Sequence, residues 1–423
     1  MRTRSKTATV YQSPDRKFTG RIDRRLVANF DWTLLAILAL ILVLGLINLY
    51  SATHHGGRLA VDGSRLSADS PADPDNRQPS TVNRQLAPAN RQPSVAHSDR
   101  FVLQLVWIFV GFVLMTVAFL VNYQLYKNAA YYVLIGVLVL LAATLILGYV
   151  SHGARRWLIL GPARFQPSEL AKLALVLALA RYFSENPLDE GMGLADLRWP
   201  LAIAAAPMAL VLLQPDLGTA VMLAFIAATM ILFVGVRWRT LLGFGATAAV
   251  GGPLAYFFAL KDYQRERILT LFDPNRDPTG TGWHIRQSLI AIGSGQLAGK
   301  GWLHGTQTKL DFLPEQHTDF IFSVLAEEWG FLGGLVALVL FFALIVWCVN
   351  IAMQSKDHFG CLLGLGLTAF IFWHVAVNIG MVLGILPVVG VPLPFMSYGR
   401  TSLLTMMIAV GMLLNISSRR YMF

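Results

Sequence analysis

The sequence predicts an all-α integral membrane protein of ten transmembrane helices, with a large, partly helical extracytoplasmic loop between helices 7 and 8. Three observations carry this reading. Of 423 residues, 55% are hydrophobic and only 14% are charged, against about 25% charged in soluble domains. The mean hydropathy is +0.55. The apolar residues gather into runs close to the roughly 20 residues that span a bilayer core. This composition excludes a soluble enzyme.

The ten runs centre on 32–50, 101–121, 131–150, 168–183, 199–213, 217–236, 240–260, 320–350, 360–384 and 401–417. The first follows a basic tail, 1–31, and no small-residue cleavage site comes after it, so it reads as an uncleaved span. The second and third are almost free of charge. The fourth is apolar but carries Glu169 and Lys172 near its start. The fifth and sixth are separated by QPDLGT (214–219), where Pro215 and Gly218 break an otherwise continuous run. The seventh leads into loop 261–319, the eighth leaves it, and the ninth and tenth complete an even set that places both termini on one side.

Basic residues crowd the tail and the loops on its side, including Lys127, Arg181, Arg198, Arg237, Arg239 and Lys356. The short loops opposite hold only Arg155, Arg156, Arg164 and Arg400. This bias puts both termini in the cytoplasm and loops 51–100 and 261–319 outside. It also explains the net charge of +10 without nucleic acid. Cys348 and Cys361 lie in or beside apolar segments and read as small buried hydrophobes, not as a disulfide framework or a metal site.

Loop 51–100 is polar and repeats NRQPS at 76–80 and 90–94. Its prolines and lack of apolar a/d positions exclude a coiled coil, so it reads as a disordered insert. Loop 261–319 mixes charges with Trp283, Trp302, Phe312 and Leu313, and reads as folded. Within it, 284–293 is a short amphipathic stretch that lies on the outer membrane surface or re-enters it.

Ionisable residues at membrane depth are the best pointers to function, because each costs about 2.5–3.5 kcal/mol at a helix centre. Four groups stand out. Glu169 and Lys172 share a helix face at i,i+3; a structural ion pair near an N-cap at Ser168 is the plain alternative. Gln214 and Asp216 sit in the break between spans five and six, where a tight turn is the plain alternative. Arg155 and Arg156, adjacent guanidinium groups in GARRW (153–157), suit phosphate recognition, although Trp157 beside them also fits an interfacial anchor. Asp319 precedes the eighth span, with Glu327 and Glu328 deeper; Asp319 fits equally a first-turn acid favoured by the helix dipole. His374 and Asn378, four apart in the ninth span, form either a polar relay or separate bonds to neighbouring helices. No HExxH, CxxC, GxSxG or phosphate-loop pattern occurs.

These motifs together resemble the SEDS family (shape, elongation, division, sporulation), whose members polymerise peptidoglycan glycan strands. The likeness rests on GARRW (153–157), FQPSELAK (165–172), QPDLGT (214–219), YQRERI (263–268), residues 299–331, NIGMVLGILPVVGVPLP (378–394) and SYG (397–399). GKGWLHGTQ (299–307) followed by LDFLPEQHTDFIF (310–322) looks more like the rod-elongation branch than the division branch. Three departures stand out: the long 51–100 insert, Gln296 in place of a usual glycine, and Arg400 where the family has glycine. Glycine tolerates φ > 0 and arginine rarely does, so Arg400 puts the geometry near Ser397 in question.

The resemblance implies lipid II as substrate, a growing lipid-linked strand as donor, and polyprenyl pyrophosphate as leaving group. An α-linked donor that yields a β-1,4 product requires inversion by single displacement, hence one base. The family match assigns that base to Asp319. Asp262, Asp273, Asp277 and Asp311, in the same loop, sit among turn residues and read as solvated. The match also assigns substrate or pyrophosphate roles to Arg156, Trp157, Glu169 and Lys172, and more weakly to Gln214, Asp216, Arg265, Lys300, His317 and Ser397. It further implies a Mg²⁺ or Mn²⁺ ion shared with substrate phosphates, no organic cofactor, a class B penicillin-binding protein as partner, and other membrane proteins of the elongation machinery. The competing readings are a lipid II flippase and a non-catalytic scaffold. A transporter predicts midplane charges and related halves, whereas the ionisable clusters here lie at the outer ends of helices.

Overall fold

The computed structural model describes residues 30–54, 97–151, 154–160, 163–187, 191–258, 262–273, 276–277, 280–310, 312–313 and 315–419. Most of the basic tail, most of the 51–100 insert and Asp311 lie outside the described residues.

Helices occupy all ten expected places: Trp32–His54 (α1), His97–Leu120 (α2), Tyr123–Leu147 (α3), Pro167–Glu185 (α4), Arg198–Leu213 (α5), Leu217–Val234 (α6), Trp238–Phe258 (α7), then, beyond the loop, a 33-residue helix at Ile321–Met353, His358–Val382 and Arg400–Arg419. Eight of these are long and apolar enough to cross a membrane. The two others are α4, which carries Glu169, Lys172, Arg181 and Glu185, and α5, which has 16 residues. The third helix starts at Tyr123 rather than near 131, because Asn122 caps it by accepting from the Gln124 N–H. Polar Tyr-Gln-Leu-Tyr-Lys-Asn hides this first turn from a hydropathy reading.

The expectation of a purely helical fold needs one correction. Between α3 and α4 the chain forms an antiparallel three-stranded meander, Tyr149–Ser151 (β1), Ala154–Leu160 (β2) and Ala163–Phe165 (β3). Arg155 reaches back from it to the Leu145 and Ile146 carbonyls at the C-terminus of α3, where a cation meets the negative end of the helix dipole.

Among its described residues, loop 261–319 holds the helices Asp262–Phe272 (α8), Thr281–Gly295 (α9) and Thr306–Lys309 (α10). Helix α9 covers the expected 284–293 stretch. It does not merely lie on a surface, because buried Ser288 bonds both the Ser323 hydroxyl, at 2.8 Å, and the Val382 carbonyl, at 2.7 Å.

The long helix Ile321–Met353 (α11) departs most from expectation. Gly330 has φ 66° and ψ −161°, so the helix is broken there. Residues 321–328 are all buried. Asn48 donates to the Ile321 carbonyl at 2.8 Å, and Ser51 bonds Glu328. Eight helical residues rise roughly 10 Å, yet both ends meet α1 within one of its turns. At the far end, Asp31 caps α1 and accepts from Trp347 and Ser417, which ties α1, α11 and Arg400–Arg419 (α13) together. His358–Val382 (α12) is buried along most of its length and packs against α4 and α6. Close approach is set by small residues: a Cβ on Gly411 of α13 would lie 2.3 Å from the Met115 carbonyl of α2.

Candidate active site

Asp319 sits two residues before Ile321, where α11 begins, with Phe320 between them as the N-cap. The turn that presents it is built on Glu315, a non-glycine residue at φ 50°. The Glu315 carbonyl accepts from the N–H groups of Thr318 at 3.1 Å and Asp319 at 3.2 Å. Asn378 of α12 donates to the Asp319 carbonyl at 2.8 Å and to the Val391 carbonyl at 2.7 Å. It thereby binds the aspartate's backbone to loop 384–399. Gly390 of that loop has φ 72°, and a Cβ there would be 3.4 Å from an Asp319 carboxylate oxygen. Burial, helped by the negative charge of Glu315, raises the Asp319 pKa to about 7. This is the direction expected when a carboxylate loses water without gaining a cation.

Loop 384–399 also covers the break at QPDLGT. A Cβ on Gly218 would be 2.5 Å from the Val389 carbonyl, so residues 389–390 bridge the start of α6 to Asp319. Asp216 caps α6 through the Thr219 N–H at 3.3 Å and hydroxyl at 2.9 Å. Its carboxylate also meets Gln166 at 3.5 Å and Arg156 of β2 at 3.8 Å. Arg156 further donates to the Gln214 and Pro215 carbonyls, and the Gln214 side chain donates to the Leu141 carbonyl at 2.9 Å. Thus Arg156, Gln214 and Asp216 converge as one cluster, with Arg156 half-exposed at its rim. Trp157 pairs with Tyr149 in the meander and is half-buried.

Glu169 and Lys172 make the expected i,i+3 ion pair, 2.7 Å apart, but inside the bundle. Lys172 is 1% exposed and also bonds His374 Nε2 at 2.8 Å. The His374 Nδ1 faces the Phe370 carbonyl at 2.8 Å, so that nitrogen carries the proton and Nε2 accepts from Lys172. Lys172 is therefore a cation that fastens α4 to α12 from inside the bundle, not one presented at the rim beside Arg156. The N-cap of α4 is Gln166, not Ser168, whose buried hydroxyl has no partner among the described residues.

Three expected site residues lie elsewhere or face inward. Lys300 bonds Glu327 and Thr306, each at 2.7 Å. Glu327, fully buried, also accepts from the Thr306 and Gln307 N–H groups and the Thr308 hydroxyl, so this pair clamps α10 onto α11. Arg265 donates to the Phe257 carbonyl at the end of α7 at 2.7 Å. Ser397 accepts from the Leu393 N–H at 2.9 Å and closes a turn. His317 does join the site: its carbonyl accepts from the Tyr398 N–H at 2.9 Å, and its ring meets Arg100 at 3.0 Å. Arg400 is not at positive φ. It begins α13, which answers the concern over the missing glycine. Asp273 is exposed and Asp277 accepts from the Gly280 N–H at 2.8 Å, as turn residues do.

Residue-by-residue reading of the sequence missed Gln166, Glu315, Arg100 and Gly390, since nothing local to them announces a partner. Among the described residues, no three His, Cys, Asp or Glu side chains are grouped to hold a metal ion.

Comparison with known proteins agrees with this arrangement. The family described as cell cycle proteins, grouping FtsW, RodA and SpoVE, matches residues 88–422. The peptidoglycan glycosyltransferase MrdB of Escherichia coli (strain K12) is 45% identical over 315 residues, 74% of this chain and 84% of the relative. The peptidoglycan glycosyltransferase RodA of Treponema pallidum (strain Nichols) is 33% identical over 397 residues, 76% of this chain and 90% of the relative. A solved chain from work on the structural coordination of polymerization and crosslinking by a peptidoglycan synthase complex superposes with TM-score 0.72 and 31% identity, covering 93% of this chain and 99% of that one. The crystal structure of Thermus thermophilus RodA superposes with TM-score 0.62 and 28% identity, covering 93% and 98%. The chain is thus a multi-pass membrane protein that belongs to the FtsW, RodA and SpoVE family.

Proposed function

We propose that this chain is a peptidoglycan glycosyltransferase that polymerises lipid II into glycan strands during cell elongation. The relatives' names supply the reaction class. The observation that carries the mechanism is Asp319, a recessed carboxylate with its pKa raised to about 7 and no cation paired with it among the described residues. A base poised near the working pH is what proton removal from a sugar hydroxyl asks for.

In the proposed step, Asp319 takes the proton of the GlcNAc 4-hydroxyl of lipid II. The freed oxygen attacks the anomeric carbon of the lipid-linked strand from the face opposite the leaving group. The bond to pyrophosphate breaks, and polyprenyl pyrophosphate leaves with the electron pair. Arg156 supplies positive charge at the rim for the leaving oxygens, and Asp216 and the Gln214 carbonyl aim its guanidinium. Glu169, Lys172 and His374 hold the helices beneath, and Asn378 sets the backbone of Asp319. Because no three His, Cys, Asp or Glu side chains are grouped among the described residues, a Mg²⁺ or Mn²⁺ ion would be held mainly by the substrate phosphates and would add neutralising charge at the pyrophosphate.

The chain would work in the bacterial cytoplasmic membrane, with both termini cytoplasmic and Asp319 on the periplasmic side. A class B penicillin-binding protein would supply crosslinking, consistent with the solved relative from a synthase complex. Loop 261–319 and its adjoining helices are the proposed docking region. The test is polymer formation from fluorescent lipid II by the purified protein, with and without its partner. Ladders from wild type and none from folded Asp319→Asn would support the reading, and loss on chelation would add the ion. Transfer of lipid II across liposome bilayers without polymer would replace this reading with a flippase.

A further inference from the structure

A second group of cations stands across the N-terminus of α13 from Arg156. Thr401, in the first turn of α13, accepts from the Gln166 N–H at 3.3 Å, and the Gln166 side chain touches Asp216 of the Arg156 cluster. On the other side of that turn, Arg400 donates twice to the Tyr398 hydroxyl, each at 3.3 Å. The Tyr398 ring neighbours His317, with centroids 6.1 Å apart, and Arg100 bonds the His317 ring at 3.0 Å. His317 is two residues from Asp319.

The surface beneath these arginines is one face of α2. Arg100, Gln104 and Trp107 follow at helical spacing. Arg100 meets His317, Gln104 donates to the Ser397 carbonyl at 3.3 Å, and the Trp107 ring lies under the Arg400 guanidinium at 5.9 Å. Both arginines are half-buried, and neither has a carboxylate within ion-pair distance among the described residues. The nearby acid is Glu315, 4.0 Å from His317 and about half exposed. By contrast, Arg156 already has Asp216. The Trp107 indole N–H is a buried donor without a partner among the described residues, and such orphans mark a place where an acceptor is missing. Two guanidinium groups and an orphan donor thus line one face of α2 beside the positive end of α13, a set of groups suited to an anion rich in oxygen.

We propose that Arg100 and Arg400, with Tyr398 and Trp107, form a second phosphate cradle, which holds the pyrophosphate of one of the two lipid-linked substrates while the Arg156 cluster holds the other. The inference rests on the glycosyltransferase reading, because transfer between two lipid-linked molecules brings two pyrophosphates to one carboxylate. Arg400 stands where the resembling family has glycine, so this cradle is a feature of this chain.

The test uses the full-length protein in nanodiscs. Direct binding of polyprenyl pyrophosphate is measured in an Asp319→Asn background, with phosphatidylglycerol and inorganic pyrophosphate as competitors. Arg100→Gln and Arg400→Gln should each weaken binding about tenfold, the loss of one charge-assisted contact. Arg400→Gly should do the same, and Arg400→Lys should restore part of the affinity. In the active chain, each variant should raise KM for lipid II more than it lowers kcat. Unchanged affinity and KM in folded variants would overturn the cradle. Competition by phosphatidylglycerol as strong as by polyprenyl pyrophosphate would also overturn it, and would assign the arginines to bilayer headgroups. If wild type makes no polymer while binding still depends on both arginines, the transferase reading fails and the phosphate site stands.

Discussion

At the residue scale, the proposed chemistry turns on how one carboxylate, Asp319, is kept apart from cations that surround it at a distance. Asp319 has its backbone fixed by Asn378 and its carboxylate beside Gly390, and neither neighbour supplies a charge that would favour ionisation. A base whose pKa is raised gains its active, deprotonated form as pH rises. The kcat/KM for polymerisation should therefore climb through about pH 7 and level off above it. Glu315→Gln removes a charge that helps raise this pKa, so the acid limb should move to lower pH in a pH–rate profile. Gly390→Ala would place a Cβ at φ 72° beside the carboxylate, and kcat should fall while the fold persists. Arg156→Gln should raise KM for lipid II more than it lowers kcat.

At the scale of elements, the decisive feature is the break in α11. Gly330 adopts φ 66°, and a Cβ there would come within 2.3 Å of the Gly299 nitrogen. The backbone donors freed by the break are taken up by the outer loop: Phe331 donates to the Gln296 carbonyl at 2.8 Å and Leu332 to that of Leu297 at 3.1 Å. This bracing lets a buried helix carry Asp319 beneath the loop without leaving polar groups unmet. Gly330→Ala should lower the melting temperature of the purified protein and reduce its yield. Glu327→Ala should destabilise by about 3 kcal/mol, since it strands Lys300 and several loop donors; a thermal melt in detergent would measure it. Lys172→Met leaves the Glu169 carboxylate buried without its cation and should cost about 3–5 kcal/mol. Lys172→Met with Glu169→Gln should recover part of that loss, which a two-mutant cycle would read.

At the scale of the whole molecule, the helix bundle holds its polar chemistry near one end. Asp31, Trp347 and Ser417 knot the opposite end. The proposed even number of spans predicts that reporter fusions at the two termini report the same, cytoplasmic side. Much of this architecture is legible from the chain alone. Which segments leave water is a sum over neighbouring residues, and so is the bias of Lys and Arg between loops, so helix positions and the proposed sidedness follow from local composition. The QPDLGT motif likewise marks the cap of α6 at Asp216, while HTDF marks the proposed base only through its family resemblance. The partners of those residues are not local. Lys172 and His374 are 202 positions apart, and Asn48 and Ile321 are 273 apart. The sequence could therefore nominate Lys172 and Lys300 as substrate cations, but whether a cation faces the rim or is spent inside depends on which distant carboxylate reaches it first. Packing alone answers that, because the cost of burying a charge depends on every group around it, and those groups come from helices far apart in the chain.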